Sequence, residues 1–197
     1  IEHTLPDGSV VTLSAASEML YTPKEWEKQR TLKLQGEAFF EVTEGSRFTV
    51  QTDRGNVAVL GTSFNVNARA NTFSVACFTG RVAVFNEARD SVILNPTEGV
   101  RLNAQAQAWE SYSLDITRSA SWRNGIFYYE NESLDVVYKE VERQFDVTIQ
   151  AADSILEMPY TGFFERNNLD SALYQINWPM GLESEIQGDV IEIKALE

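Results

Sequence analysis

The 197-residue sequence holds one cysteine and one histidine. A single thiol cannot close an intramolecular disulfide or build a thiolate metal site, and it leaves the redox compartment open. Cys77 alternates with Phe73 and Val75 in an extended-looking run, the setting of a buried structural thiol rather than an activated one. His3 lies at the start of the chain, far from partners that would orient it beside a nucleophile as acyl transfer requires, and reads as a solvated side chain. His pairs, Cys pairs and an Asp-rich calcium loop are missing, so neither a metal site nor any other cofactor is expected. Long apolar runs are missing too. The longest, such as Val57-Ala58-Val59-Leu60, fall far short of the ~20 residues that cross a bilayer, and no charged-then-apolar leader opens the sequence. The chain begins on Ile1 without an initiator Met, so any membrane anchor is expected upstream, in sequence not included here. Basic residues are scarce: 16 Lys and Arg stand against 29 Asp and Glu, a net charge of −13 that disfavours nucleic acid as a partner.

What is present is enough for a core. With 43% hydrophobic and 11% aromatic residues, the length fits one large domain or two small ones. The acidity is uneven. Residues 119–197 carry five basic and fifteen acidic side chains, a net of −10, whereas residues 1–118 carry eleven and fourteen, a net of −3.

From residue 3 to about 116 the hydrophobic period is two, as in Thr31–Gln35, Phe64–Ala68 and Thr72–Cys77. Asp7-Gly8, Glu44-Gly45, Arg54-Gly55, Thr79-Gly80 and Pro96–Gly99 punctuate it at the spacing of an all-β sandwich or solenoid-like domain. Around Asn103–Thr117 the pattern decays into small polar residues, and beyond it the period changes, which places a domain boundary near Thr117: residues 1–117, then 118–197. Gly125–Tyr129 reads as a strand, with Asn131 or Ser133 as helix cap. Leu134, Val137, Tyr138, Val141 and Phe145 follow at helical spacing, and Asp146–Gln150 is a second strand. The order recurs with Gly162–Phe164, an Asn168 cap, and Leu169, Ala172, Leu173 and Ile176; Gly181–Ile186 and Val190–Lys194 close it as a hairpin. A small α/β domain follows, a doubled strand-helix-strand unit with both helices on one face of a mixed sheet.

No reaction emerges from these residues. Gly61-Thr62-Ser63 lacks the lysine and the helix of a phosphate loop and reads as a turn. Glu37 and Glu41, four residues apart along a strand, stand roughly 13 Å apart, too far for a glycosidase pair, and are expected to face solvent. Among the tryptophans, Trp26 in the charged segment Lys24–Lys28 is expected on the surface, while Trp109, Trp122 and Trp178 are expected to pack.

Four segments in order resemble the signatures of the FecR domain: Leu5-Pro-Asp-Gly-Ser9 with Val11–Ser14, Leu34–Val42, Val57–Val66 and Gly80–Val84. Trp122–Gly125, Leu134–Val147 and Tyr160–Phe163 resemble the C-terminal domain that follows in Bacteroidetes-type members, which is similar to the short signalling domain of secretins and TonB-dependent receptors. The resemblance implies a non-enzymatic part of a single-pass inner-membrane anti-sigma factor. A cytoplasmic segment outside this sequence would hold an extracytoplasmic-function sigma factor, and this part would lie in the periplasm. Its partner would be the N-terminal signalling domain of a TonB-dependent outer-membrane transporter. The family has no catalytic residues to carry over. An extracytoplasmic carbohydrate-binding module is the alternative of another class.

The acidic second domain is expected to supply the interface, through sheet edges at Gly125–Glu130 and Tyr160–Glu165. Tyr128, Tyr129, Glu130, Tyr160, Phe164 and Glu165 are the candidate contacts, with some of the aromatics expected in the core instead because one face of each strand must be buried.

Overall fold

A computed structural model describes residues 1–69, 72–86, 90–103 and 108–196. The chain divides into two units, Ile1–Ala120 and Ser121–Glu197. Among its described residues the first unit has β1 (Glu2–Thr4), β2 (Val10–Leu13), β3 (Glu18–Tyr21), β4 (Arg30–Glu41), β5 (Phe48–Thr52) and β6 (Gly55–Val59). β7 (Ser63–Ala68), β8 (Ser74–Cys77), β9 (Val82–Asn86), β10 (Ser91–Leu94), β11 (Glu98–Asn103) and β12 (Ala108–Ser113) complete it, so it is all-β as the pattern of period two requires.

β4 organises this unit. Arg30, Leu32, Leu34, Gly36, Ala38 and Phe40 are buried at every second position, so one face of the strand points inward along its whole length. Its first half pairs with β3 and, in parallel, with β5; its second half pairs with β2 and β7. One strand therefore belongs to both layers of a large curled sheet, β3-β4-β5-β6-β9-β10 on one side and β1-β2-β4-β7-β8-β11-β12 on the other. The changeover is at Gly36, with φ of +95°, where a side-chain carbon would come within 2.8 Å of the Ser17 Cα. Only glycine fits that backbone and that space.

The layers share one core. Phe40 stacks on Phe64 with centroids 4.9 Å apart and meets Phe48 edge-on, and Phe48 receives the edge of Trp26. Trp26 is thus a core residue, 2% exposed, and not the surface residue its charged neighbours suggest. The short turn Pro23–Glu25 leaves Lys24, Glu25, Glu27 and Lys28 in solvent while rotating the indole inward. Arg30, also buried, ties two loops to the start of β4. Its Nε donates to Asp7 (2.6 Å), one terminal nitrogen to the Ser46 carbonyl (2.8 Å), and the other to the Thr43 carbonyl (2.8 Å), the Thr43 hydroxyl and Ser9 Oγ.

β12 departs from the sequence reading, which finds only a decaying pattern there. It pairs with β11 from Asn103↔Ala108 to Glu98↔Ser113 as an outer strand exposed along most of its length, so it needs no alternation to persist. Residues 104–107, near the start of that polar stretch, fall outside the described residues.

The second unit follows the doubled order. β13 (Ile126–Ser133), α1 (Leu134–Phe145) and β14 (Thr148–Gln150) are followed by a short helix α2 (Asp153–Leu156) that the pattern does not announce. β15 (Pro159–Glu165), α3 (Leu169–Asn177), β16 (Leu182–Gln187) and β17 (Val190–Ala195) then repeat the theme. Leu134, Val137, Tyr138 and Val141 of α1 and Ala172, Leu173 and Ile176 of α3 form the buried stripes. Asn168 Oδ1 caps α3 by accepting from the Ser171 amide at 2.8 Å. Ser133 precedes α1 without a side-chain cap, and the Leu134 amide instead donates to the Met158 carbonyl. The expected single mixed sheet is two sheets: an antiparallel ribbon β13-β15 and a mixed sheet β14-β17-β16. The bulge between Tyr129 and Glu132 and the brevity of β14 let the first strand-helix-strand turn away into a second sheet.

Candidate functional site

The residues weighed for catalysis are scattered and engaged. His3 Nε2 lies 2.9 Å from the Tyr21 hydroxyl on the surface. Cys77 is fully buried, and burial, with Glu98 nearby, pushes its thiol up to about 11. Glu41 is exposed, but Glu37 does not face solvent: its side chain is 13% exposed, accepts from Asn65 Nδ2 at 2.9 Å and stands 3.7 Å from Arg69 Nε. Gly61-Thr62 is the link between β6 and β7. Among the described residues no group of three or more His, Cys, Asp or Glu comes together as a metal site.

The six expected contact residues separate by face. Tyr160 and Phe164 are 2% and 0% exposed and belong to the second unit's core, so neither can meet a partner directly. Phe164 stacks on Phe127 at 4.7 Å; the Tyr160 hydroxyl donates to the Phe163 carbonyl at 3.1 Å, and burial raises its phenol. Burial raises the Tyr138 phenol more strongly still, and that hydroxyl donates to Asn177 Oδ1 at 2.7 Å. Tyr129 is half-buried and stacks on Phe164. Glu165 is half-buried, whereas Tyr128 and Glu130 are exposed. Alternation assigns these roles: Phe127 and Tyr129 point in, Tyr128 and Glu130 out, and the register places Tyr128 opposite Phe163, ring centroids 5.6 Å apart.

The edges of the ribbon are partly closed. The Arg166 amide donates to the Gly125 carbonyl, which makes 125 and 166 a bonded pair and turns the backbone groups of Ile126, Tyr128, Phe163 and Glu165 outward. Ser121 Oγ donates to the Ile126 carbonyl at 2.7 Å, the Tyr160 hydroxyl to the Phe163 carbonyl, and the Glu165 amide to Gln175 Oε1 at 2.9 Å. The expected strand-docking edge is therefore partly occupied by this unit's own side chains.

Two exposed features lie elsewhere on the same unit. Tyr174 and Trp178, one turn apart at the end of α3, stack with centroids 5.8 Å apart and are 62% and 64% exposed. Trp178 is thus a surface residue where packing was expected; Trp109 and Trp122 are half-buried against the two cores. The signal was in the sequence, since positions 174 and 178 fall off the stripe of Leu169, Ala172, Leu173 and Ile176. The other feature is β16, an outer strand exposed from Glu183 onward.

Comparison with known families decides the affiliation. The family described as "FecR protein" matches residues 1–83, and the one described as "FecR, C-terminal" matches residues 126–193. The chain belongs to the FecR family. Two crystal structures of a candidate anti-sigma factor from Parabacteroides distasonis ATCC 8503, at 1.65 Å and 2.50 Å resolution, are similar to it with a TM-score of 0.90 each and 26% identity. Each comparison covers 100% of this FecR chain, and 95% and 94% of the respective crystallographic chain. No curated protein matches. Family and structural likeness together make this FecR chain a regulatory protein of the anti-sigma type. No helix among its described residues is long and apolar enough to cross a membrane.

Proposed function

We propose that this chain is the periplasmic sensor of a single-pass inner-membrane anti-sigma factor. It receives the signal from the N-terminal signalling domain of a TonB-dependent outer-membrane transporter and, through segments outside this sequence, controls an extracytoplasmic-function sigma factor. The observation that carries the reading is the second unit: a doubled strand-helix-strand module matched by the FecR C-terminal family, with a net of −10 out of the chain's −13 concentrated on it. A net of −10 over residues 119–197 is not needed to fold 79 residues, and a field of that sign speeds encounter with a basic partner.

The test is to measure association of the chain with the purified N-terminal periplasmic domain of a TonB-dependent transporter from the same organism. Binding whose on-rate falls as salt rises supports the proposal; no binding refutes it. The exposed Tyr174–Trp178 stack is the feature that favours the alternative, a carbohydrate-binding module. Saccharide titration by calorimetry with quenching of Trp fluorescence would decide for the module.

A further inference from the structure

The hairpin β16-β17 has a bond pattern that can be read outward. The Leu196 amide donates to the Gly181 carbonyl at 2.9 Å, which makes 181 and 196 a bonded pair. Bonded pairs recur at every second position, so Glu183–Lys194, Glu185–Glu192 and Gln187–Val190 exchange the ladder bonds. The amides and carbonyls of Leu182, Ser184 and Ile186 consequently point away from β17, along the free side of the sheet. Among the described residues no side chain bonds to them, in contrast to the partly closed edges of the β13-β15 ribbon. The strand carries no proline, and glycines at 181 and 188 bound it. An open edge of this length is a template for another strand.

Its surroundings select the strand's chemistry. The solvent face of the hairpin presents Glu183, Glu185 and Glu192 against one cation, Lys194, which lies 3.2 Å from Glu185 and 2.8 Å from Glu192. Asp189 adds a further negative charge in the turn. α3 and the turn Trp178–Met180 pack against β16, so the exposed Tyr174–Trp178 pair stands at the same part of the unit, and aromatic faces of this kind receive Lys and Arg side chains. A second copy of this chain would set Glu183 and Glu185 against their own kind, which disfavours edge-to-edge self-association.

We infer that the free edge of β16 accepts a basic extended segment of the transporter's signalling domain as a fourth strand, completing the β14-β17-β16 sheet across the two proteins. This rests on the partner assigned under the proposed function. Ser184 and Ile186 supply the backbone bonds, the glutamates the charge complement, and Tyr174 and Trp178 a stacking surface for a flanking Lys or Arg.

The experiment uses the 197-residue chain and the transporter's N-terminal periplasmic domain as probe. Ser184→Pro removes an edge amide without touching a bond to β17, since that amide lies outside the ladder. Its affinity should fall at least tenfold, while Ser184→Ala, which keeps the amide, binds as the parent does. Hydrogen exchange on the unsubstituted chain gives a readout free of folding defects: the amides of Ser184 and Ile186 should gain protection when the domain is added. Binding by the parent with no protection of these amides, or with full affinity retained by a folded Ser184→Pro variant, overturns the β16 assignment and leaves the partner standing. No binding by the parent overturns both. Protection that rises with chain concentration alone makes the occupant a second copy and overturns the choice of a basic segment.

Discussion

Replacing Arg30 by alanine should unfold the first unit far more easily than its single position suggests. The guanidinium is buried and bonds to the Asp7 carboxylate, two carbonyls and two hydroxyls, and its carbon lies 5.4 Å from the Phe48 ring centre. Removing it strands the Asp7 charge and opens Thr43 and Ser46, and breaking a buried pair from one side costs about 3–5 kcal/mol, a large part of the ~5–15 kcal/mol that a domain has. At a urea dependence of about 2 kcal/mol per molar, the unfolding midpoint should drop by about 2 M. Trp26 reports it, because its indole sits edge-on to the Phe48 ring beneath the guanidinium. Arg30→Lys should recover only part of the loss, one ammonium being unable to span Asp7, Thr43 and Ser46 together. The acid limb provides a second check. Burial alone would raise the Asp7 carboxyl, but the Ser9 amide, Arg30 and the Ser9 hydroxyl outweigh it and hold the group below its ordinary 3.8. A depressed carboxylate contributes stability that is complete above the unfolded value and is lost as pH falls through the folded one, so the gap between parent and Arg30→Ala should be constant near neutrality and narrow below about pH 4. A midpoint shift under about 0.5 M at neutral pH would refute the clamp.

In the second unit, Leu134→Ala removes a fully buried side chain from the first turn of α1 and should cost about 2–5 kcal/mol in urea unfolding; a loss below about 0.5 kcal/mol would mean that α1 does not pack on this core. Cys77, fully buried and with its thiol raised to about 11, should resist a thiol reagent at pH 8 in the native chain and react at once in denaturant. Trp178→Ala should leave stability within about 0.5 kcal/mol, because the ring is 64% exposed, yet weaken binding of the transporter's signalling domain; a stability loss above 2 kcal/mol would place the ring in the core instead.

The chain's periodicities carried most of the fold. Period two identified β4 and β7, and the 3.6 spacing identified α1 and α3 with their buried stripes, because in these segments burial on one face decides both conformation and pattern. Where burial is weak the pattern is silent. β12 is an exposed outer strand held by its ladder to β11, and α2 is four residues long with Ile155 and Leu156 only half-buried, too short to show a helical period. The division of the second unit into two sheets depends on which strands pair, and pairing between distant segments is not encoded in any one of them.

The aromatic residues show the same limit from the other side. Trp26 among charges is core, the reverse of what its neighbours suggest, because a turn fixes which way the side chain points independently of the residues beside it, whereas Trp178 is surface as its place off the α3 stripe allows. The candidate interface was only partly legible for a related reason. Alternation could divide Tyr128 from Tyr129, but whether a strand edge is open depends on what the rest of the chain brings to it. Ser121 from the turn before β13, Tyr160 from within β15 and Gln175 from α3 bond to the ribbon's outward backbone groups, contacts that hydrophobic alternation does not announce. β16 receives no such side chain, and its acidic, outward-facing positions, which from sequence alone read as an ordinary solvated strand, become the place where a basic strand can complete a sheet.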